Sequence, residues 1–178
     1  MRRGQERVVL AIQTTSQAFG YAVLELATDR LVAHGMRFPK LSELEQRSLP
    51  IIADLITAYS PSLVIVEDTA DPKCLRSGRG PALIDGIVEV ADTMDIAVGK
   101  VASVRVREFY RQLGARNKDA VASQIIERFP QLTTILPLPR KSWMSKQHRM
   151  AIFDAIAFAT VFGADNPSLK RRRYMTRR

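Results

Sequence analysis

Two carboxylates in this 178-residue chain stand where chemistry could be done, and a third position, at the end of another apolar run, holds an amide. Glu67 ends the apolar run of "PSLVIVED", and Asp154 interrupts the apolar stretch "HRMAIFDAIAFATVF". Gln13 ends the first apolar run of "VVLAIQTTSQAFGYAVLE", just before a group of small polar residues. Hard oxygen donors converging from separate elements are what Mg²⁺ needs when it assists phosphodiester hydrolysis. A carboxylate within an apolar helix is costly without a partner or a cation, and an ion pair with a neighbour such as Arg149 is the plainer account of Asp154. Strand-end acids are common, so Glu67 alone says little. It is the order of the surrounding elements that favours a functional reading.

Residues 8–13 read as a buried strand, and 19–26 and 30–38 as a hairpin-like pair joined near "ATDR". Residues 42–59 carry apolar groups at helical spacing, with Ser42 and Glu45 fitting a capping box and Pro50 either kinking the helix or marking its start. "PSLVIVED" is a further buried strand. A helix follows over 81–94 with Pro81 in its first turn, then a short strand over 96–101. Residues 103–112 and 117–128 read as helices, 131–145 as a loop, and 147–163 as a final apolar helix. This order predicts an α/β fold whose apolar strands are covered by helices on both faces. Sites in such sheets lie beyond the carboxyl ends of the strands, where both Gln13 and Glu67 fall.

The formal net charge is +9, from 27 Lys and Arg against 18 Asp and Glu. The excess is clustered, which argues for a polyanionic partner such as nucleic acid rather than a merely solubilising surface. One group is Lys73, Arg76 and Arg79. A second is Arg105, Arg107, Arg111, Arg116 and Lys118, and a third is the basic tail from Lys170 onward. A lone cysteine, Cys74, excludes an internal disulfide framework and a cysteine-based zinc site. No apolar run approaches the roughly 20 residues of a membrane span, and the N-terminus lacks the apolar core of a signal peptide, so a cytoplasmic location is expected. The division expected is a domain over 1–165 and a flexible basic tail over 166–178.

Five segments, in order, resemble the RuvC-type Holliday-junction resolvases of the ribonuclease-H-like superfamily. "LAIQTTSQAFGYAVLE" is similar to their first strand and glycine-containing turn, and "LVIVED" to the strand carrying their glutamate, at Glu67. "LRSGRGPALIDGIVE" is similar to their Gly-Arg element with the helix after it. "LGARNKDAVASQII" resembles their lysine-bearing helix start, at Lys118, and "DAIAFAT" their final helix with its metal-binding aspartate, at Asp154. The resemblance spans about residues 7–163. It implies a ribonuclease-H-like fold with a central mixed five-stranded sheet flanked by helices. It also implies a homodimer that nicks four-way DNA junctions with two Mg²⁺ ions per fully acidic site, Mn²⁺ substituting. Glu67, Asp154 and Gln13 then occupy the metal-binding positions, and Lys118 would hold a phosphate. Lys73, Arg76, Arg79, Arg105, Arg107 and Arg116 would contact DNA, and the helix bearing Leu83, Ile87 and Val90 would be either a dimer face or core.

The departures bear on activity. Gln13 replaces the first metal-binding aspartate, Ala151 replaces another one turn before Asp154, and His148 lies a further turn back as a partial substitute or a phosphate contact. Where some relatives carry an aromatic near the junction, the chain has Ala70, leaving Tyr110 and Trp143 as stacking candidates. Asp68, next to Glu67, should point to the opposite sheet face. Two certain carboxylates leave two Mg²⁺ under-neutralised, so the alternatives are a degenerate but active enzyme, an inactive junction-binding protein, and an enzyme whose aspartate has been deliberately replaced. The "TTS" turn also resembles that of actin-like ATP-binding proteins, but the further glycine-rich loops such a site needs are missing.

Overall fold

Residues 8–39, 43–72, 74, 79–138 and 148–169 are described by the structure, a computed structural model. Five strands form one sheet in the order β3-β2-β1-β4-β5. They are β1 (Val8–Thr14), β2 (Phe19–Glu25), β3 (Arg30–Arg37), β4 (Leu63–Glu67) and β5 (Ala97–Val101). β1 pairs antiparallel with β2, β2 antiparallel with β3, and β1, β4 and β5 run parallel to one another. The helices are α1 (Leu44–Tyr59), α2 (Arg79–Thr93), α3 (Ser103–Gln112), α4 (Lys118–Arg128) and α5 (Met150–Asp165). The expected mixed five-stranded sheet flanked by helices is what the chain forms.

Strand parity assigns the two layers. Val9, Ala11 and Ile65 face α3, α4 and α5, while Leu10, Ile12, Val64 and Val66 face α1 and α2. Both faces of β1 and β4 are therefore dry, which is why these strands show no apolar–polar alternation. Each fully buried Leu or Ile there contributes roughly 2 kcal/mol of transfer free energy. The Thr15 turn joining β1 to β2 is closed by its own hydroxyl, which accepts from the Ala18 N–H at 3.0 Å and the Gln17 N–H at 3.3 Å.

Local signals predict most elements, with instructive exceptions. Pro50 neither starts nor ends α1 but lies inside it, on the exposed side, where water can take the carbonyl its missing N–H leaves free. Ser42 of the expected capping box lies outside the described residues; Glu43 is the N-cap and makes no side-chain cap. Asn117 caps α4, accepting from the Ala120 N–H at 2.8 Å. Leu83 and Ile87 of α2 are fully buried against the sheet, so of the two readings offered for them core is the one observed. The loop expected over 131–145 begins as a 3-10 turn, Pro130–Ile135, and a second, Pro167–Leu169, extends past the start of the expected tail.

α5 lies unusually close to the sheet. A Cβ added to Gly20 would sit 2.6 Å from the backbone carbon of Ala151, so only glycine on β2 permits this approach. Further along, Phe162 fills the space over Gly99 on β5. The alanines of α5 serve the same close contact. Among the described residues, no helix is long and apolar enough to cross a membrane.

Candidate functional site at the carboxyl edge of the sheet

Gln13 and Glu67 end the two central parallel strands side by side. Their positions share the parity of Ala11 and Ile65, so both side chains face the α5 layer. Gln13 is 3% exposed and Glu67 2%. The Gln13 Nε2 donates to Glu67 Oε2 at 3.5 Å, a long hydrogen bond. The other oxygen, Oε1, accepts a short hydrogen bond from the Ser103 hydroxyl. Ser103 is the first residue of α3, just past β5, and so comes from the third parallel strand end. Position relative to a strand's carboxyl end is the signal that could have found it. The Gln13 carbonyl oxygen is buried without a hydrogen-bond partner among the described residues.

Asp154 stands on α5 one turn beyond Ala151, the residue against Gly20, and Gly20 is the register partner of Gln13. Its side chain is 19% exposed and pairs with Lys118 Nζ at 2.6 Å. The partner is therefore Lys118 at the start of α4, not Arg149. Ala151 is buried and offers no donor. His148 packs its ring edge-on against Phe38, with centroids 5.4 Å apart. Asp68 turns away from Glu67 and accepts from the Ala70 N–H at 3.1 Å.

The basic residues divide. Arg105 is held bidentately by Asp165, at 2.6 and 3.1 Å, and this contact pushes its pKa up. Arg107 and Arg116 are exposed. Lys73 and Arg76 lie outside the described residues, as does the side chain of Arg79, whose backbone opens α2. Tyr110, a stacking candidate from sequence, is 4% exposed and belongs to the core. Burial pushes its phenol up to about 12, opposed by a hydrogen bond with Thr160. Trp143 lies outside the described residues.

The donor set does not suit the two-ion expectation. Among the described residues no three His, Cys, Asp or Glu side chains gather as a metal-binding group. Of the two carboxylates, Glu67 already accepts from an amide and a hydroxyl, and Asp154 is neutralised by Lys118. The orphaned Gln13 oxygen beside Glu67 is the one feature that suits a hard cation, and it suits one ion. The Thr15 turn likewise does not suit a nucleotide phosphate, because its N–H groups at Gln17 and Ala18 donate within the turn.

No protein-family model matches the chain, and no curated protein matches it. Solved structures do. RuvC of Thermus thermophilus superposes with a TM-score of 0.61 at 17% identity, over 90% of this chain and 96% of that one. The same protein in complex with a Holliday junction substrate gives 0.59 at 14%, over 89% and 96%. The yeast mitochondrial Holliday junction resolvase Ydc2 gives 0.60 at 12%, over 93% and 81%. At these identities the likeness is one of fold, and it extends over nearly the whole chain. The chain has the ribonuclease-H-like fold of the RuvC-type resolvases, with Gln13, Glu67, Ser103 and the Asp154–Lys118 pair set about the carboxyl edge of its sheet.

Proposed function

We propose that the chain is a Holliday-junction resolvase of the RuvC type: it binds four-way DNA junctions, and its site nicks their strands slowly because Gln13 withholds one negative charge. The observation that carries this reading is the pairing of Gln13 with Glu67 at the tips of adjacent parallel strands, with Asp154 and Lys118 on the covering helices. The +9 charge suits the polyanionic partner, and Arg107 and Arg116 lie exposed for phosphate contacts. Lys73, Arg76 and Arg79 are proposed as further DNA contacts.

Glu67 and the Gln13 carbonyl oxygen would hold a single Mg²⁺ or Mn²⁺. When bound, such an ion supplies charge neutralisation and polarises a phosphate oxygen. The rest falls to the chain. Ser103 fixes the Glu67 carboxylate by its hydroxyl hydrogen bond. Lys118, 68% exposed, can swing from Asp154 to a backbone phosphate, leaving Asp154 as an additional acid when DNA arrives. A four-way junction presents two equivalent strands, so we propose a homodimer with two sites, acting within the cell where the DNA lies.

The test is competition binding. A labelled four-way junction and a linear duplex of the same sequence are titrated with the protein at several salt concentrations, and nicks are mapped in Mg²⁺ and Mn²⁺. Junction preference with paired, slow nicks is expected. Equal affinity for junction and duplex would refute the reading, and junction preference with no nick in either metal would reduce it to a non-catalytic junction binder.

A further inference from the structure

At the same edge of the sheet, two strands from Gln13, stands an aromatic ring that neither the core nor the acid pair explains. Phe38 directly follows β3 and is 60% exposed. The preceding Arg37 pairs in register with Phe19, and Phe19 with Thr14. Two strand spacings put Phe38 about 10 Å from the tip of β1. Singly exposed apolar residues are ordinary and need no explanation. Three features set this one apart.

It is braced, since His148 packs against it at 90° between ring planes. It borders a cleft of about 480 Å³ whose wall includes Arg37, Pro39, Gln46, Arg47 and Ile51. The cleft is also basic. Arg37 is pinned at its mouth by a hydrogen bond to the Met36 carbonyl at 2.9 Å and by stacking over Tyr21 at 5.4 Å. Arg47 forms an exposed pair with Glu43, the N-cap of α1, a contact weak enough to yield to a phosphate. A braced aromatic face, two guanidiniums and an amide are the parts of a stacking site for a nucleobase. Such a volume lies within the range of small-ligand pockets. An apolar peptide would leave the arginines unused, so charge selects a nucleotide.

We infer that this cleft takes one unpaired nucleotide, its base stacked on Phe38 and its phosphate between Arg37 and Arg47. The cleft is walled by α1, while His148, which braces Phe38, stands just before α5, so the ring lies at the rim between the two faces of the sheet. The inference rests on the junction reading only for the source of the nucleotide, a branch point being where bases unstack.

The experiment titrates the whole protein into a single-stranded oligonucleotide carrying 2-aminopurine, whose fluorescence falls on stacking, with a junction and a duplex in parallel. Phe38→Ala should bind the single strand about 10-fold more weakly than the unaltered protein and lose the quenching, the scale of one base–aromatic stack. Phe38→Trp should keep both, and Arg47→Ala should weaken single-strand binding without abolishing quenching. Duplex affinity should not change in any of them. Phe38 is exposed, so the melting temperature should hold; were Phe38→Ala unstable, Phe38→Trp and Arg47→Ala would decide. Equal affinity and quenching in all forms, or no single-strand binding at all, would overturn the site. Phe38-dependent single-strand binding without junction preference would overturn the junction reading and leave the site standing.

Discussion

The Gln13 amide nitrogen lies 3.5 Å from a Glu67 carboxylate oxygen, with both side chains almost wholly buried at the tips of β1 and β4. An amide is tolerated there because it donates to its neighbour. An aspartate would place a second carboxylate against the first, and two such groups cannot both ionise cheaply without a cation. Gln13→Asp should therefore lower stability by roughly 1–3 kcal/mol in a chelating buffer, with the loss recovered on adding Mg²⁺. Thermal melts of both forms, with and without the ion, check this. A Gln13→Asp melt indifferent to Mg²⁺ would mean the site gathers no cation.

Ser103 is the hydroxyl donor to Glu67 and reaches it from the start of α3, just past the neighbouring strand β5. Ser103→Ala should cost about 1–2 kcal/mol, the range for a hydrogen bond to a charged group, and reduce nicking by freeing the carboxylate to rotate. Ser103→Thr should retain most of both. Chemical denaturation and nick rates measured on the two variants distinguish this from a bystander serine, for which Ala and Thr would behave alike.

Gly20 admits the Ala151 backbone of α5. Gly20→Ala should cost at least about 2–3 kcal/mol, because the clash is with backbone and cannot be relieved by a rotamer change. Adding Ala151→Gly should not rescue it fully. A double variant as stable as the original protein would show that α5 can shift freely.

Tyr110 carries a pH dependence. Burial raises its folded-state pKa from 10 to about 12, so the folded chain holds the proton more tightly than the unfolded chain. Its contribution is complete below about pH 10 and lost as pH rises towards 12, on the order of 3 kcal/mol in all. Tyr110→Phe should remove that alkaline slope while giving up the Thr160 hydrogen bond, worth about 1 kcal/mol. Denaturant melts between pH 9 and about pH 11.5 would reveal an unchanged slope if another group were responsible.

The strands were legible because β1, β2 and β4 are apolar without interruption, and Gln13 and Glu67 were legible because each ends such a run. Asp154 stood out as a charge in the middle of an apolar helix. What escaped depended on distance in sequence. The Lys118 partner of Asp154 and the Ser103 partner of Glu67 each lie 36 residues away, and no periodicity links them. Tyr110 read as an available aromatic because α3 is polar around it, yet its ring enters the core beneath α5. Phe38 attracted no notice because a strand-end phenylalanine before a proline looks like ordinary packing. Pro50 suggested a kink or a later helix start, yet it lies inside α1 on its exposed face.

The central claim is that the carboxyl edge of this sheet is a resolvase site in which Gln13 and Ala151 stand where two acids would. Its most direct test compares the unaltered chain with Gln13→Asp on a labelled four-way junction in Mg²⁺ and in Mn²⁺. Both should bind the junction in preference to duplex. The aspartate form should give symmetric nicks roughly 100-fold faster, corresponding to about 3 kcal/mol of added charge stabilisation. Junction binding with no acceleration by the aspartate would contradict the account, since the edge would then be a binding surface and not a catalytic site.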